Sequence, residues 1–354
     1  MRNFLSKKAR NITPYVAGEQ PRGRDIIKLN TNESPYPPSP RVYDAIKSEL
    51  GSELRKYPDP CGGEFRMQAA EYVGLKEENI FCGNGSDEVL GFAFQAFFDE
   101  DRRIKVPDIS YSFYPVWSQL FDIQTEIMPV NENFEIDVED YYNSQGGVVI
   151  ANPNAPTGIA LKIEKIEKVV KNNLNCVVII DEAYVEFGGD SAVPLVRMYD
   201  NLLVIRTLSK SQSLAGIRAG FAVGHPKLID GLFRIKDSFN SYPVNSLTSA
   251  AAAAALKDKE YYNGVSKKVI ETREWTAMEL EKLGYEVLPS KTNFIFAKPK
   301  VKNAKEVFDA LKENDIIVRW FDKDRIRDYL RITIGTDDDM KTLVECLTEI
   351  NDSK

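Results

Sequence analysis

The stretch Arg206-Thr207-Leu208-Ser209-Lys210-Ser211-Gln212-Ser213-Leu214-Ala215-Gly216-Ile217-Arg218-Ala219-Gly220-Phe221 decides the reading of this chain. It continues an apolar run, Leu202 to Ile205, with the length and composition of a buried strand. Lys210 therefore falls just past the carboxyl end of that strand, the edge where open α/β sheets bind ligands. An amine placed there suits Schiff-base formation with an aldehyde, while Ser209 and Arg218 suit an anion close by. Residue type alone argues weakly, because most lysines are solvated surface groups. Position and neighbours carry the point.

The 354 residues leave room for one large α/β domain and a smaller one. Hydrophobic residues make up 43% and charged residues 28%, ordinary for a globular protein, and the formal net charge of −7 argues against nucleic acid or an anionic membrane as partner. Cys61, Cys82, Cys176 and Cys346 are scattered without CxxC spacing, which predicts a reduced, cytoplasmic setting and no metal site. Met1 to Arg10 is basic but has no continuous apolar segment, so no secretory signal is expected, and no apolar run is long enough to span a bilayer. His225 is the only histidine. Its Gly-His-Pro context reads as a turn, so acid–base work falls to Lys, Asp, Glu, Tyr or a cofactor rather than to a histidine triad.

Outward from the opening stretch, short apolar runs alternate with helical patterns, the mark of βαβ units and a mostly parallel sheet. Strands are expected at Ile80–Cys82, Arg103–Val106, Gln124–Met128, Gly147–Ala151, Val177–Ile180, Leu202–Ile205 and Gly220–Val223. Helices are expected at Arg41–Leu50, Gly63–Val73, Asp87–Phe98, Tyr114–Leu120, Ile163–Asn172 and Pro226–Phe233. A charged helix from Tyr261 to Leu283 then leads to strands Glu286–Leu288, Phe294–Ala297, Ile316–Arg319 and Tyr329–Ile334 around a helix, Ala304–Glu313. The division this predicts is an N-terminal arm (1–30) packing on a small α+β C-terminal domain (263–354), and a large ligand-binding domain (31–262) with helices flanking its sheet.

Four segments fall just past four expected strands. Gly83-Asn84-Gly85-Ser86-Asp87 turns into a helix whose free amides attract a phosphate. Asn152-Pro153-Asn154-Ala155-Pro156-Thr157-Gly158 places an amide, Asn152, where it suits a phenolic oxygen. Asp181-Glu182-Ala183-Tyr184 puts a carboxylate at a buried strand end, costly unless paired; a protonated pyridine nitrogen pairs it and keeps the ring an electron sink, with Tyr184 reaching the ring's other polar edge. Taken singly, each has an ordinary reading as a turn or a helix start. Together with Ser209, Lys210 and Arg218 they make up the set that pyridoxal phosphate requires.

On these residues the chain resembles the fold-type I pyridoxal-phosphate enzymes of aminotransferase class I and II, through Asn152–Gly158, Asp181–Tyr184 and Thr207–Gly220. Within that group it is similar to the histidinol-phosphate branch, on Leu29-Asn30-Thr31-Asn32-Glu33-Ser34-Pro35, Lys56-Tyr57-Pro58-Asp59, Gly83–Glu88 and Leu330-Arg331-Ile332-Thr333. The resemblance runs nearly end to end and implies transamination between L-histidinol phosphate and 2-oxoglutarate. It implies Lys210 as the Schiff-base and proton-shuttling residue, Asp181 at the ring nitrogen, Asn152 and Tyr184 at the ring oxygen, and Tyr111 stacked on the ring. Ser86, Asp87, Ser209 and Arg218 would hold the phosphate, with Tyr57 added from the second subunit of a homodimer. Arg331 would clamp an α-carboxylate, and Arg319, with Tyr15 and Asn32, the substrate phosphate. Read without the resemblance, Arg319 and Arg331 are charges in apolar strand patterns, which call either for an anion or for a solvent-facing strand edge.

Three departures touch the pocket: Ala155 stands where a second Asn is common, Ser34 where Asn is frequent, and Ser211-Gln212-Ser213 replaces an aromatic- and glycine-containing variant. Rival readings are an aromatic or broad-range aminotransferase, a threonine-phosphate decarboxylase, and a cofactor-binding regulatory module.

Overall fold

Strands β5 (Gly147–Ala151), β6 (Val178–Asp181) and β7 (Leu202–Thr207) are apolar until their carboxyl ends, where Asp181, Arg206 and Thr207 stand, because both of their faces are covered, as parallel strands under helices require. They lie within a thirteen-strand inventory in the computed structural model, which describes residues 4–21 and 26–352. The others are β1 (Ile27–Lys28), β2 (Ile80–Gly83), β3 (Ile104–Pro107), β4 (Thr125–Met128), β8 (Gly220–Gly224), β9 (Glu286–Val287), β10 (Phe294–Lys298), β11 (Ile316–Ile317), β12 (Arg319–Trp320) and β13 (Leu330–Thr333).

Seven strands form one sheet in the order β2-β8-β7-β6-β5-β3-β4. β3 to β7 run parallel, whereas β8 is antiparallel to both of its neighbours. Alternate side chains leave on opposite faces. Val148, Ile150, Val178, Ile180 and Val204 join one core with the helices Gly63–Val73, Ile163–Lys171 and Ser246–Lys257. Val149, Ile179, Leu203 and Ile205 join another with Ser86–Phe97, Tyr114–Leu120 and Pro226–Phe239. The last helix runs six residues past its expected end because Asn240, in an extended conformation, is its first stop signal.

The helix Lys259–Lys282 carries Tyr262 into the first core and Val269 and Leu280 into a third. That third core lies under a four-stranded antiparallel sheet, β12-β13-β10-β9, and includes the helices Ala304–Glu313 and Asp337–Asp352. The expected strand Ile316–Arg319 is two strands. Ile316 and Ile317 pair in parallel with Ile27 and Lys28 of the arm, and beyond Val318 the chain switches to pair with β13. Thus the arm meets the third core, with Leu29 O accepting from Thr333 N at 2.9 Å. Among the described residues no helix is long and apolar enough to cross a membrane.

Candidate active site

Register brings the four segments to one edge. Ala151 pairs with Asp181 and Asp181 with Ile205, while Thr207 and Gly83 both pair with Gly220. The exits of β2, β5, β6 and β7 and the entry to β8 therefore share one rim. A cavity of about 530 Å³ opens there, walled by Ser86, Asp87, Tyr111, Asp181, Tyr184, Ser209, Lys210 and Arg218 on the sheet side. Its far wall brings Tyr15 and Asn32 together with Arg319 and Arg331.

Lys210 Nζ donates to Thr31 O at 3.1 Å and stands 6.0 Å over the Tyr184 ring. Burial, reinforced by the charge of Arg331, pulls its proton affinity down to about 8, so a share of the amine is neutral near physiological pH. Asp181 is the complementary case. Its Oδ2 accepts from Tyr114 Oη at 2.9 Å, but its Oδ1 is buried with no hydrogen-bond partner. Burial raises its titration to about 7, against the opposing hydrogen bond from Tyr114. A buried acceptor left open at the cavity wall fits a cationic N–H, such as the protonated nitrogen of a pyridine ring.

The anion cup is shaped by glycine. Gly85, at φ 88°, caps the helix Ser86–Phe97, and a Cβ on it would lie 2.7 Å from Arg218 Nη2. A Cβ on Gly220 would come within 2.4 Å of the Ser86 amide nitrogen, so β8 can begin against that helix start only as glycine. Arg218 Nη2 reaches Asp87 Oδ2 at 3.3 Å, and Tyr111 Oη donates to Asp87 Oδ1 at 2.8 Å. Ser209 Oγ accepts from Thr207 Oγ1 at 2.9 Å and keeps its own hydroxyl hydrogen to donate.

Asn152 is anchored just past the end of β5. Its Nδ2 donates to Leu161 O at 3.2 Å and its Oδ1 accepts from Leu161 N at 2.7 Å. These two bonds fix the amide to a backbone turn and leave the second hydrogen of Nδ2 over. The cavity wall beside it is made by Ala151, Pro153, Ala155 and Pro156. At the phenolic edge Tyr184 Oη accepts from Asn32 Nδ2 at 2.9 Å. Burial holds the Tyr184 hydroxyl in its protonated form, partly offset by Arg331.

Arg319 and Arg331 are direct cross-strand partners on β12 and β13, so their side chains leave the same face. Arg331 Nη2 donates to Asn30 O at 2.7 Å, while its buried Nε has no partner. Its guanidinium lies between Phe294 and Phe321, 5.4 and 5.5 Å from their ring centres, and Arg319 lies 5.4 Å from that of Phe321. Burial, with the like charge of Arg319, makes Arg331 a poorer holder of its proton than usual. Two packed guanidiniums, one with an open donor, form an anion receptor. Tyr57 lies well off the cavity: it is 82% exposed and stacks on Tyr242 at 4.7 Å.

Two contributors carried little sequence signal. Tyr114, the first residue of its helix, follows Tyr111 by a single turn, its N–H donating to Tyr111 O at 3.2 Å. Arg325 lines the cavity mouth from the loop between β12 and β13, and binds Asp108 Oδ2 at 2.8 Å together with the carbonyls of Val130 and Asn131. Nothing local in its sequence marks it.

The family model for aminotransferase class I and II matches residues 24–347. Histidinol-phosphate aminotransferase of Clostridium botulinum (strain Okra / Type B1) is 49% identical over 350 residues, 99% of each chain. That of Clostridium beijerinckii is 49% identical over 347 residues, 98% of this chain and 97% of the relative. Among solved structures, histidinol-phosphate aminotransferase from Sinorhizobium meliloti in complex with pyridoxal-5'-phosphate shares the fold with a TM-score of 0.88 at 24% identity, covering 99% of this chain and 98% of the other. The chain belongs to the class I and II aminotransferases.

Proposed function

We infer that the protein is a pyridoxal-phosphate-dependent aminotransferase that exchanges the amino group of L-histidinol phosphate with 2-oxoglutarate, giving imidazole-acetol phosphate and L-glutamate in histidine biosynthesis. The observation that carries this reading is the pairing, in one cavity, of a half-satisfied buried carboxylate and a two-arginine anion receptor, Asp181 at one end and Arg319 with Arg331 at the other. Curated histidinol-phosphate aminotransferases at 49% identity over nearly the whole chain support histidinol phosphate as the amino donor.

When bound, pyridoxal 5'-phosphate supplies an aldehyde that captures the amine and a ring that accepts the electron pair left at Cα. Asp181 Oδ1 would hold the proton of the ring nitrogen. Asn152 and Tyr184 would bond the ring oxygen, and Tyr111 would stack on the ring. The amides of Ser86 and Asp87, with Ser209 and Arg218, hold the cofactor phosphate. Lys210 is the covalent anchor. Its lowered proton affinity lets Nζ take the Cα proton of the substrate and hand it on, in each half-reaction.

Arg331 clamps the α-carboxylate of glutamate and 2-oxoglutarate through its open edge. Arg319 and Tyr15 receive the phosphate ester. Asn32 shares its amide between Tyr184 and Thr333, leaving one amide hydrogen for a substrate oxygen. Tyr57, exposed beside Tyr242, belongs in this reading to the partner's cofactor phosphate, which makes the enzyme a homodimer. The division into arm 1–30, large domain 31–262 and small domain 263–354 is supported by the separate third core. Four unpaired cysteines support a cytoplasmic location.

A coupled assay of the purified enzyme with histidinol phosphate, phenylalanine and threonine phosphate, each with and without 2-oxoglutarate, tests the substrate. Histidinol phosphate turns over fastest, and only with the 2-oxo acid. Preference for phenylalanine sinks the phosphate-ester reading, and carbon dioxide from threonine phosphate sinks transamination.

A further inference from the structure

Tyr114 opens the helix Tyr114–Leu120 and is only 1% exposed, yet its hydroxyl is not left idle: it donates to Asp181 Oδ2 at 2.9 Å. Its ring is fixed by an edge contact with Tyr111, 5.6 Å between centres, and by Phe94 and Trp117 at 6.3 Å. It forms no part of the cavity wall, so it meets no ligand directly. Asp181 does line the cavity, and the oxygen that Tyr114 leaves alone, Oδ1, is the buried one without a partner. A carboxylate turns easily about its last bond and offers two equivalent oxygens. A rigid donor on one of them fixes the carboxylate plane and singles out the other.

We propose that Tyr114 is a positioning residue: it holds Asp181 by one oxygen so that the other meets the protonated ring nitrogen of the cofactor in line. The inference rests on the role given to Asp181 above, and it assigns to this chain a device behind the ring nitrogen as well as a partner for it.

The surroundings make the tyrosine necessary. Burial disfavours the charged form of Asp181, and the nearby carboxylates of Asp87 and Glu182 add to that. The Tyr114 hydroxyl and the Ala183 N–H work the other way. Tyr184, on the following segment, feels the Asp181 charge as a push toward its protonated form. Tyr114 stays a donor throughout, because burial and the Asp181 charge drive its own ionisation well above the usual tyrosine range.

Apoenzymes of the wild type, Tyr114→Phe and Asp181→Ala test this by their affinity for two ligands. One is pyridoxal phosphate; the other is an analogue with C–H in place of the ring nitrogen. Tyr114→Phe weakens pyridoxal phosphate by about 10-fold, the scale of a hydrogen bond to a charged group, and changes the analogue by less than about 2-fold. Equal loss on both ligands, or no loss on pyridoxal phosphate, overturns the proposal. If Asp181→Ala itself fails to distinguish the two ligands, the pairing of Asp181 with the ring nitrogen has failed, a separate outcome that takes Tyr114 with it.

Incorporation of 4-aminophenylalanine at position 114 keeps a weaker donor against Asp181. An intermediate loss confined to pyridoxal phosphate supports the proposal even if the phenylalanine variant does not fold; a full loss, or one shared with the analogue, contradicts it. The apoenzyme alone gives one more readout. The Asp181 carboxyl, followed by carbon-13 labelling, titrates at higher pH in Tyr114→Phe than in the wild type, and an unchanged titration contradicts the proposal.

Discussion

The two ends of the cavity solve opposite problems with the same device. At the sheet edge a buried anion, Asp181, has one oxygen satisfied by Tyr114 and the other open. At the antiparallel sheet a buried cation, Arg331, has one nitrogen satisfied by Asn30 O and another open. Each end is polarised toward the charge it lacks, so the cavity is costly when empty and selective when filled. The difference lies in what holds them. Asp181 sits at the end of a strand hydrogen-bonded on both sides, within a sheet covered on both faces. Arg331 is held by a short four-stranded sheet and by the end of the arm, whose contacts there are a two-residue strand pair, the buried Leu29 and a few polar bonds. Residues 8–15 of the arm pack on the large domain through Leu120, Gln119 and Phe113. The chemical end is thus built on the most buried part of the molecule and the substrate end on one of its thinner parts.

If that contrast is right, the largest effect belongs to the chemical end. Lys210→Ala lowers turnover by about 10⁴-fold or more while the thermal midpoint of the apoenzyme stays near wild type. A variant that still transaminates at wild-type rate breaks the assignment. Next comes Arg331→Lys, which keeps the charge but loses the planar fork. It lowers kcat/KM for glutamate by about 10- to 100-fold, with binding of pyridoxal phosphate unchanged. Arg319→Gln separates the two arginines further: KM for histidinol phosphate rises by about 10-fold, and any activity on phenylalanine is left alone.

A smaller effect is the pH dependence of the apoenzyme. The folded Asp181 carboxyl titrates near 7, whereas an unfolded Asp titrates near its ordinary value of about 4. Between those limits the folded state holds a proton that the unfolded chain has released. Stability from this site is therefore present at low pH and lost as pH rises through 7. Thermal melts from pH 4.5 to 7.5 detect that slope, and Asp181→Asn flattens it. The smallest change at the cofactor is expected from Asn152→Ala: about 1–3 kcal/mol of stability through the stranded Leu161 backbone, and a loss of pyridoxal phosphate affinity of no more than about 10-fold through the hydrogen bond to the ring oxygen. An unchanged affinity removes Asn152 from the ring.

What was legible in the sequence follows the same contrast. The sheet-edge end is written in local patterns: apolar runs set the strands, and the polar residues just after them share an edge by topology. Gly63–Val73, Gly147–Ala151 and Ala304–Glu313 were expected with the bounds they have. The substrate end depends on partners far apart in the chain. That Arg319 faces Arg331 is a matter of register, and the break at Val318 needed knowledge of β1 to be seen. Asn152 shows what a local reading leaves out. A polar side chain at a strand tip can serve the chain as well as a ligand, and here it also bonds the backbone of Leu161, nine residues on. Tyr114 was hidden for the opposite reason, since an aromatic at a helix start reads as core until its hydroxyl is seen against Asp181.

The central claim is that the covalent chemistry happens at Lys210, on the sheet edge between Asp181 and the anion cup. Reduction of the enzyme loaded with pyridoxal phosphate by borohydride, followed by peptide mapping, tests it directly. The account predicts one pyridoxyl group per chain, on Lys210; a pyridoxyl group on another lysine, or none, would contradict it.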